Sequence, residues 1–311
     1  MKVYALPLHN RFRDITVREG LLLYGPAGWG EFCPFADYSD AESAPWLASA
    51  LEASETGWPA AVRDRVEVNT TVPVVSPERA YELVRASGCR TAKVKVADKR
   101  SPLAEDCARV EAVRDALGPG GAIRVDANTA WDVDTAVRSL TELDRAAGGL
   151  EYAEQPCPTI EDLAAVRRRV PVRIAADESI RRAEDPLKVA VAGAADIAVL
   201  KVAPLGGVRR ALEVAEACGL PCVVSSAVET SVGLAAGLAL AGALPELDFA
   251  CGLGTMPLLT GDVSSTSLSP VDGYLPVRPQ APEPDRFPAF AAPPEVAAAW
   301  EDRLARVREL L

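Results

Sequence analysis

The sequence is poor in histidine, in lysine and in positive charge. Its only histidine is His9, for which we expect a surface position, so chemistry that needs a histidine base inside the fold is excluded. Only six of the 33 basic residues are lysines, the rest being arginines. Acidic residues number 44 and the net charge is −11, which argues against a nucleic-acid or anionic-membrane partner.

Long hydrophobic runs and paired-cysteine patterns are also missing. The longest uncharged run, Thr230–Pro245, has 16 residues, which is short of the ~20 needed to span a bilayer and indicates a buried helix. Met1–Arg13 has no apolar core typical of a signal peptide. The seven cysteines are odd in number and irregularly spaced, so we expect free thiols in a reducing cytoplasm and no disulfide or zinc framework.

The chain of 311 residues, 49% hydrophobic and 25% charged, has an ordinary globular composition. Residues 1–65 read as an α+β capping domain with strands at Lys2–Pro7, Thr16–Tyr24 and Trp29–Phe32, followed by a helix at Asp40–Ala53. Residues 277–311 read as a proline-rich linker and a final helix, Pro294–Leu311, that we expect to pack back on the capping domain.

Residues 66–276 alternate short apolar strands with helical stretches. Eight strands are predicted, at Val66–Val72, Ala92–Ala97, Ile123–Asp126, Leu150–Glu154, Arg173–Ala176, Asp196–Val202, Pro221–Ser225 and Phe249–Cys251. Between the first two, Ser76 and Pro77 are suited to begin a helix. Eight βα units in one stretch predict an α/β fold, a TIM-type (β/α) barrel, rather than an open doubly wound sheet, for which the Gly-x-Gly-x-x-Gly signature is missing.

Acidic residues end three consecutive predicted strands. Asp126, Glu154 and Asp177 should meet at the carboxyl-terminal mouth of the barrel, where barrel enzymes have their sites. A single acid after a strand is commonly a helix cap or a solvated residue, but three in consecutive strands predict an oxygen-only site of the kind Mg²⁺ prefers.

Three of the six lysines fall at the same strand ends. Lys93 and Lys95 lie on one face of the second barrel strand, and Lys201 ends the sixth. An amine can lose its proton when burial and a neighbouring positive charge lower its pKa, which arginine cannot do. Two amine bases beside Mg²⁺ indicate removal of a proton next to a substrate carboxylate, through an enediolate that the metal stabilises.

These motifs resemble the enolase superfamily, in its muconate-lactonising subgroup, over nearly the whole chain. The resemblance rests on an ordered set of motifs: Gly28-Trp29-Gly30-Glu31, Lys93-Val94-Lys95, Asp126-Ala127-Asn128, Glu154-Gln155-Pro156, Asp177-Glu178-Ser179 and Lys201. Within the subgroup, three stretches are most similar to the o-succinylbenzoate synthase family of menaquinone biosynthesis: Arg124–Trp131, Ser225–Leu234 and Gly252–Thr255.

The resemblance implies a hydro-lyase that dehydrates 2-succinyl-6-hydroxy-2,4-cyclohexadiene-1-carboxylate to o-succinylbenzoate. Lys95 would be the base, Lys93 would tune it, and Lys201 would face the other side of the ring. Four residues would bind substrate: Arg124, Asn128, Ser225 and Gly252. The chain departs from the family pattern in a short loop at His9–Asp14, which in the family closes over the substrate, and in having Gln155 after Glu154.

Other interpretations remain open. An N-acylamino acid racemase uses the same metal and the same lysines on both faces of its substrate. A dipeptide epimerase is disfavoured because Gly252–Thr255 carries no acidic pair for a substrate ammonium group. A phosphate-binding barrel enzyme would need a basic residue beside Gly252-Leu253-Gly254, and a catalytically silent scaffold would be expected to have lost a ligand or a lysine. The partner predicted is a small-molecule carboxylate, while the oligomeric state and the choice between Mg²⁺ and Mn²⁺ stay open.

Overall fold

A three-stranded antiparallel sheet begins the computed structural model, which describes residues 1–12, 15–181 and 187–311. Its strands, in spatial order, are β1 (Lys2–Phe12), β2 (Ile15–Gly25) and β3 (Gly28–Phe32). The hairpin is longer than predicted, since Phe12 pairs with Ile15, so most of the expected loop at His9–Asp14 is strand. Arg13 and Asp14 lie outside the described residues. His9 is exposed, as expected.

Helix α1 (Asp40–Leu51) follows the sheet. Ser39 begins it through a capping box with Glu42, which satisfies backbone N–H groups that have no partner within the helix. A π-helical turn at Glu52–Thr56, which the sequence did not predict, continues it to Gly57. Gly57 has φ +70°, a conformation that glycine adopts without steric cost.

The predicted barrel is confirmed as eight parallel strands. They are β4 (Arg65–Val72), β5 (Thr91–Lys95), β6 (Ala122–Asp126), β7 (Tyr152–Glu154), β8 (Ile174–Ala176), β9 (Ile197–Leu200), β10 (Cys222–Val224) and β11 (Cys251–Gly254). Their spatial order is β10-β9-β8-β7-β6-β5-β4-β11, and a bridge between Ser225 and Gly252 brings the two ends together, so the barrel is nearly closed. The eighth strand lies slightly later in the chain than predicted.

Helices cover the outside of the barrel. They are α2 (Pro77–Ser87), α3 (Leu103–Leu117), α4 (Val133–Ala147), α5 (Ile160–Arg167), α6 (Glu178–Arg181), α7 (Leu187–Val191), α8 (Val202–Leu205), α9 (Val208–Cys218) and α10 (Ser231–Ala243). Ser76 caps α2 and Pro77 is its first residue, as predicted. Helix α10 is buried almost throughout, which confirms the prediction for Thr230–Pro245. Among the described residues, no helix is both long and apolar enough to cross a membrane.

The C-terminal segment returns to both parts of the molecule. Strand β12 (Tyr274–Pro276) pairs antiparallel with β4, and helix α11 (Pro294–Arg308) lies against the capping sheet. Trp300 of α11 meets Phe32 edge to face with ring centroids 5.9 Å apart, and its indole N–H donates to Glu19 Oε2 at 3.1 Å. Short apolar side chains and one aromatic pair, Tyr152 with Phe249, form an apolar cluster in the barrel interior. All seven cysteines are free thiols.

Candidate active site

The strand register brings the predicted site residues to one end of the barrel. Lys95 pairs with Asp126 across β5 and β6, and Asp126 pairs with Glu154 across β6 and β7. Asp177 comes two residues after Ala175, the partner of Glu154 in β8. Since strand side chains alternate between faces, these residues share the inner face at the carboxyl ends of their strands.

Each lysine of the site is paired with a carboxylate. Lys93 Nζ lies 2.9 Å and 3.1 Å from the two carboxylate oxygens of Glu154, and 3.6 Å from Asp126 Oδ2. Lys95 Nζ donates to Asp126 Oδ2 at 2.5 Å and to Asn128 Oδ1 at 2.7 Å. Across the mouth, Lys201 Nζ donates to Asp177 Oδ2 at 2.5 Å.

Burial makes the charges of this site act strongly on one another. Burial alone would lower the pKa of Lys93, but the charges of Glu154 and Asp126 outweigh it and raise that pKa. Burial lowers the pKa of Lys95; Asp126 opposes this effect, and the positive charge of Lys93 adds to it. The pKa values of these two lysines, which lie two residues apart on one strand, are therefore shifted in opposite directions.

The buried carboxylates repel one another, and a bound cation would relieve this repulsion. Burial and the charge of Asp126 raise the pKa of Glu154 to about 7. Asp126, Glu154 and Asp177 are each at most 1% exposed, and the charges of Asp126 and Asp177 act on Glu154. Buried carboxylate oxygens are the type of donor that fits Mg²⁺. Over the described ranges no three acidic, histidine or cysteine side chains are gathered as a formed metal cluster, and each carboxylate faces a lysine instead. The metal-binding role of the three acids stays a prediction.

Gln155 links the ends of β7 and β8. Its side-chain oxygen accepts from the backbone N–H of Asp177 at 2.9 Å and of Ser179 at 3.2 Å. Its amide nitrogen donates to the Ser179 hydroxyl at 2.8 Å and to the Cys157 carbonyl at 3.0 Å. A glutamate could make the first two contacts but could not donate the others, so the amide is matched to this position.

A cavity lies over these groups and is lined by Lys93, Lys95 and Lys201. Three of the four predicted substrate-binding residues border it, namely Asn128, Ser225 and Gly252. A Cβ at Gly252 would lie 2.6 Å from Ser225 Oγ, so any larger residue would require the Ser225 side chain to move. Their contact with substrate stays a prediction.

Sequence reasoning missed the walls that the capping domain contributes. Phe12, Phe35 and Trp46 border the cavity, and Lys95 Nζ lies 5.1 Å from the centre of the Phe12 ring. These contacts join residues far apart in the chain, so no local spacing predicts them. On the barrel side, Thr71 and Thr255 were also missed; both are polar residues at or after strand ends, which was the available signal.

Arg124 lies elsewhere than its predicted substrate-binding role requires. It is fully buried inside the barrel, paired in register with Tyr152, and therefore one layer below Asp126 and Glu154. It donates to Glu151, to Asn69 Oδ1 at 3.1 Å and to the Ala250 carbonyl at 2.6 Å. Arg124 shares the inner face with Asp126, two residues later, but its depth keeps it out of the lining of the cavity.

Glu31 joins the capping sheet to the barrel beside the cavity. Its carboxylate accepts hydrogen bonds from the Tyr4 hydroxyl at 2.6 Å, the Gly233 N–H at 2.9 Å, and the N–H and hydroxyl of Thr230. Thr230 and Gly233 belong to the first turn of α10, where the helix dipole favours a negative charge. The motif Gly28–Glu31 thus has a structural role at the contact between the domains.

Two family models match the chain. One, described as enolase C-terminal domain-like, covers residues 76–282, and another, described as enolase N-terminal domain-like, covers residues 3–54. The chain is similar to curated proteins named o-succinylbenzoate synthase. The protein from Thermobifida fusca is 62% identical over 99% of this chain and 95% of its own length. The protein from Mycolicibacterium smegmatis is 56% identical over 100% of this chain and 96% of its own length.

Solved structures share the fold at lower identity. A muconate lactonizing enzyme from Pseudomonas fluorescens, complexed with muconolactone, has a TM-score of 0.78 and 23% identity, covering 94% of this chain and 97% of that one. The L-Ala-D/L-Glu epimerase from Bacillus subtilis has a TM-score of 0.75 and 24% identity, covering 90% of this chain and 95% of that one. At such identities the likeness extends to the fold alone.

Proposed function

The chain belongs to the enolase superfamily, and we propose that it catalyses the o-succinylbenzoate synthase reaction, the dehydration of 2-succinyl-6-hydroxy-2,4-cyclohexadiene-1-carboxylate. Curated relatives of that name, 53–62% identical over at least 99% of this chain, support the proposal. The observation that carries it within the site is the pair of lysines, Lys95 and Lys201, that border one cavity from opposite sides. Their strands, β5 and β9, are four apart in a ring of eight.

Lys95 is the base in this proposal. Its lowered pKa favours the neutral amine, while Asp126 and Asn128 hold its nitrogen at the cavity. Lys95 takes the proton from the ring carbon that carries the carboxylate and then gives it to the departing hydroxyl group. One proton and one hydroxide leave as water, and the ring becomes aromatic.

The other polar groups hold charge in place. Lys93, whose pKa is raised, stays an ammonium ion beside Glu154 and stabilises negative charge developing near Lys95. Asp126, Glu154 and Asp177 would hold Mg²⁺, which when bound supplies a Lewis acid for the substrate carboxylate. Lys201 faces the ring from the opposite side as an electrostatic partner. We further propose the reducing cytoplasm as the compartment, on the strength of the free thiols.

A spectrophotometric assay tests the proposal. With Mg²⁺ present, the diene absorbance of the substrate should fall as product forms, and EDTA should stop the reaction. Absence of turnover with metal present would contradict the synthase proposal. Turnover that EDTA leaves unchanged would contradict the metal site.

A second candidate, an N-acylamino acid racemase, is favoured by the same pair of opposed lysines, since racemisation needs a proton acceptor on one face and a donor on the other. Incorporation of deuterium from D₂O into an N-succinyl amino acid would reveal it. Absence of deuterium from the α-carbon of the N-succinyl amino acid, under conditions where dehydration proceeds, would exclude it.

A further inference from the structure

Arg18 of β2 is a buried arginine that connects the capping sheet to the barrel. It is 2% exposed, and its guanidinium group donates to three backbone carbonyls. Nε reaches Val228 at 3.2 Å, 210 positions later in the chain; Nη2 reaches Cys33, directly after β3; and Nη1 reaches Glu19 at 3.3 Å. Its charge is balanced by interaction with the buried carboxylates of Glu229 and Glu31.

The groups that Arg18 holds are walls of the candidate active site. Val228 lies in the segment between β10 and α10 and borders the cavity. Its φ of +62° is unfavourable for a β-branched residue, so surrounding contacts must hold it there. The Arg18 guanidinium carbon also lies 4.5 Å from the centre of the Phe35 ring, and Phe35 is the wall on the capping side.

We propose that Arg18 is a positioning residue that sets the spacing between the Phe35 wall and the Val228 wall. This spacing determines how well the substrate fits between the two walls. Its planar guanidinium combines donors to carbonyls of both domains with stacking on an aromatic ring. A lysine, as a single point charge, cannot make these contacts together. This inference rests on the proposed function, because its readout is substrate binding in that reaction.

Within the described part of the chain, the guanidinium of Arg18 donates to backbone carbonyls and to none of the lysines or carboxylates of the reaction, so its loss should act on fit rather than on proton transfer. Loss of an interaction that binds substrate and transition state equally raises KM and leaves kcat unchanged. We therefore expect Arg18→Lys to raise KM for the cyclohexadiene substrate about tenfold, with kcat changed by less than about twofold.

Arg63→Lys is the matched control. Arg63 also donates to backbone carbonyls, those of Ala241, Leu244 at 2.7 Å and Pro245 at 3.1 Å, at the end of α10 remote from the cavity. Both variants lose comparable structural bonds, so thermal stability should fall in both while KM rises only in Arg18→Lys. Equal effects of the two variants on KM, or an unchanged KM in Arg18→Lys, would overturn the inference.

A measurement on the unmodified protein covers the case in which Arg18→Lys does not fold. Hydrogen exchange in the Mg²⁺-loaded enzyme without substrate should be as slow at residues 226–229 as at the start of α10, since the walls are held before substrate arrives. Fast exchange at 226–229 that slows only with product would overturn the inference. An inactive wild-type enzyme would instead contradict the proposed function, which keeps the two failures distinct.

Discussion

At the scale of single residues, the chemistry of this site depends on which carboxylates each lysine meets. Lys93 contacts both oxygens of Glu154, and the negative charge nearby raises its pKa. Lys95 contacts one oxygen of Asp126 and the neutral amide of Asn128, and burial lowers its pKa. Two identical side chains on one strand are thus suited to different tasks, one as a fixed charge and one as a base.

Lys95→Ala should remove the base while keeping all three predicted metal ligands, although Asp126 loses the ammonium group beside it. We expect turnover to fall by about 10²- to 10⁴-fold, because general-base catalysis contributes that much, while calorimetry should show that Mg²⁺ still binds. Lys188→Ala, at an exposed lysine of α7, is the control and should retain full activity. Substantial residual turnover in Lys95→Ala would contradict the assignment of the base.

Gln155→Glu should weaken the metal site although no ligand changes. The substitution keeps the shape of the side chain but places a carboxylate oxygen against the Cys157 carbonyl and removes the donor to Ser179. Repulsion from the Cys157 carbonyl should move the new carboxylate away from the Asp177 N–H that the side chain accepts, so Asp177 should be held less well. Loss of an outer contact to a metal ligand costs about 10- to 100-fold in metal affinity, which calorimetry with Mg²⁺ would detect.

Gln280→Glu is the matched control, since Gln280 is exposed. It introduces the same extra charge away from the site and should leave Mg²⁺ affinity unchanged. Equal affinity in both variants and the wild type would mean that Gln155 has no part in holding Asp177.

At the scale of elements, the contact between the domains depends on the first turn of α10. Glu31 accepts hydrogen bonds there from Thr230 and Gly233, and it is 4% exposed. Glu31→Gln would turn an amide N–H₂ toward N–H donors and remove the charge that the helix N-terminus favours. We expect the free energy of unfolding to fall by about 1–3 kcal/mol, measured by urea denaturation.

Glu82→Gln provides the comparison for Glu31→Gln. Glu82 makes an exposed ion pair with Arg79 on α2, and its side chain is 64% exposed. Exposed pairs contribute about 0–1 kcal/mol, so this variant should be nearly as stable as the wild type. If both variants lost the same stability, the burial of Glu31 would not be the cause.

Local sequence patterns predicted the strands and helices well, but they did not predict how deep in the barrel a side chain lies. Alternation of strand and helix predicted the eight barrel strands, because each βα unit is specified by its own apolar periodicity. The π-helical turn at Glu52–Thr56 was missed, since its pattern differs little from that of an α-helix. Arg124, predicted to bind substrate, lies one layer below Asp126, and a period of two residues says nothing about height along the barrel.

At the scale of the whole molecule, the site is shared between two parts of the chain that the sequence alone does not bring together. The charged groups all come from the barrel, whereas Phe12, Phe35 and Trp46 come from the capping domain. Helix α11 stabilises that domain: Trp300, Leu304 and Val307 belong to its apolar core, and Arg303 donates to the carbonyls of Phe35 at 3.0 Å and Tyr38 at 2.8 Å. The last helix therefore supports the Phe35 wall, although none of the residues of α11 lines the cavity.

Deletion of Pro294–Leu311 tests this long-range support. Removing three buried apolar side chains costs about 1.5–3 kcal/mol each, which is a large fraction of the stability of an ordinary domain. We expect limited proteolysis to cleave within residues 1–65 while the barrel stays protected, and activity to be lost although every charged residue of the site remains.

Deletion of Glu309–Leu311 alone is the control, because these residues follow α11 and are exposed. It should leave both protease resistance and turnover at wild-type levels. If the longer deletion kept wild-type activity, the capping walls would not depend on α11. The barrel groups alone would then account for the reaction.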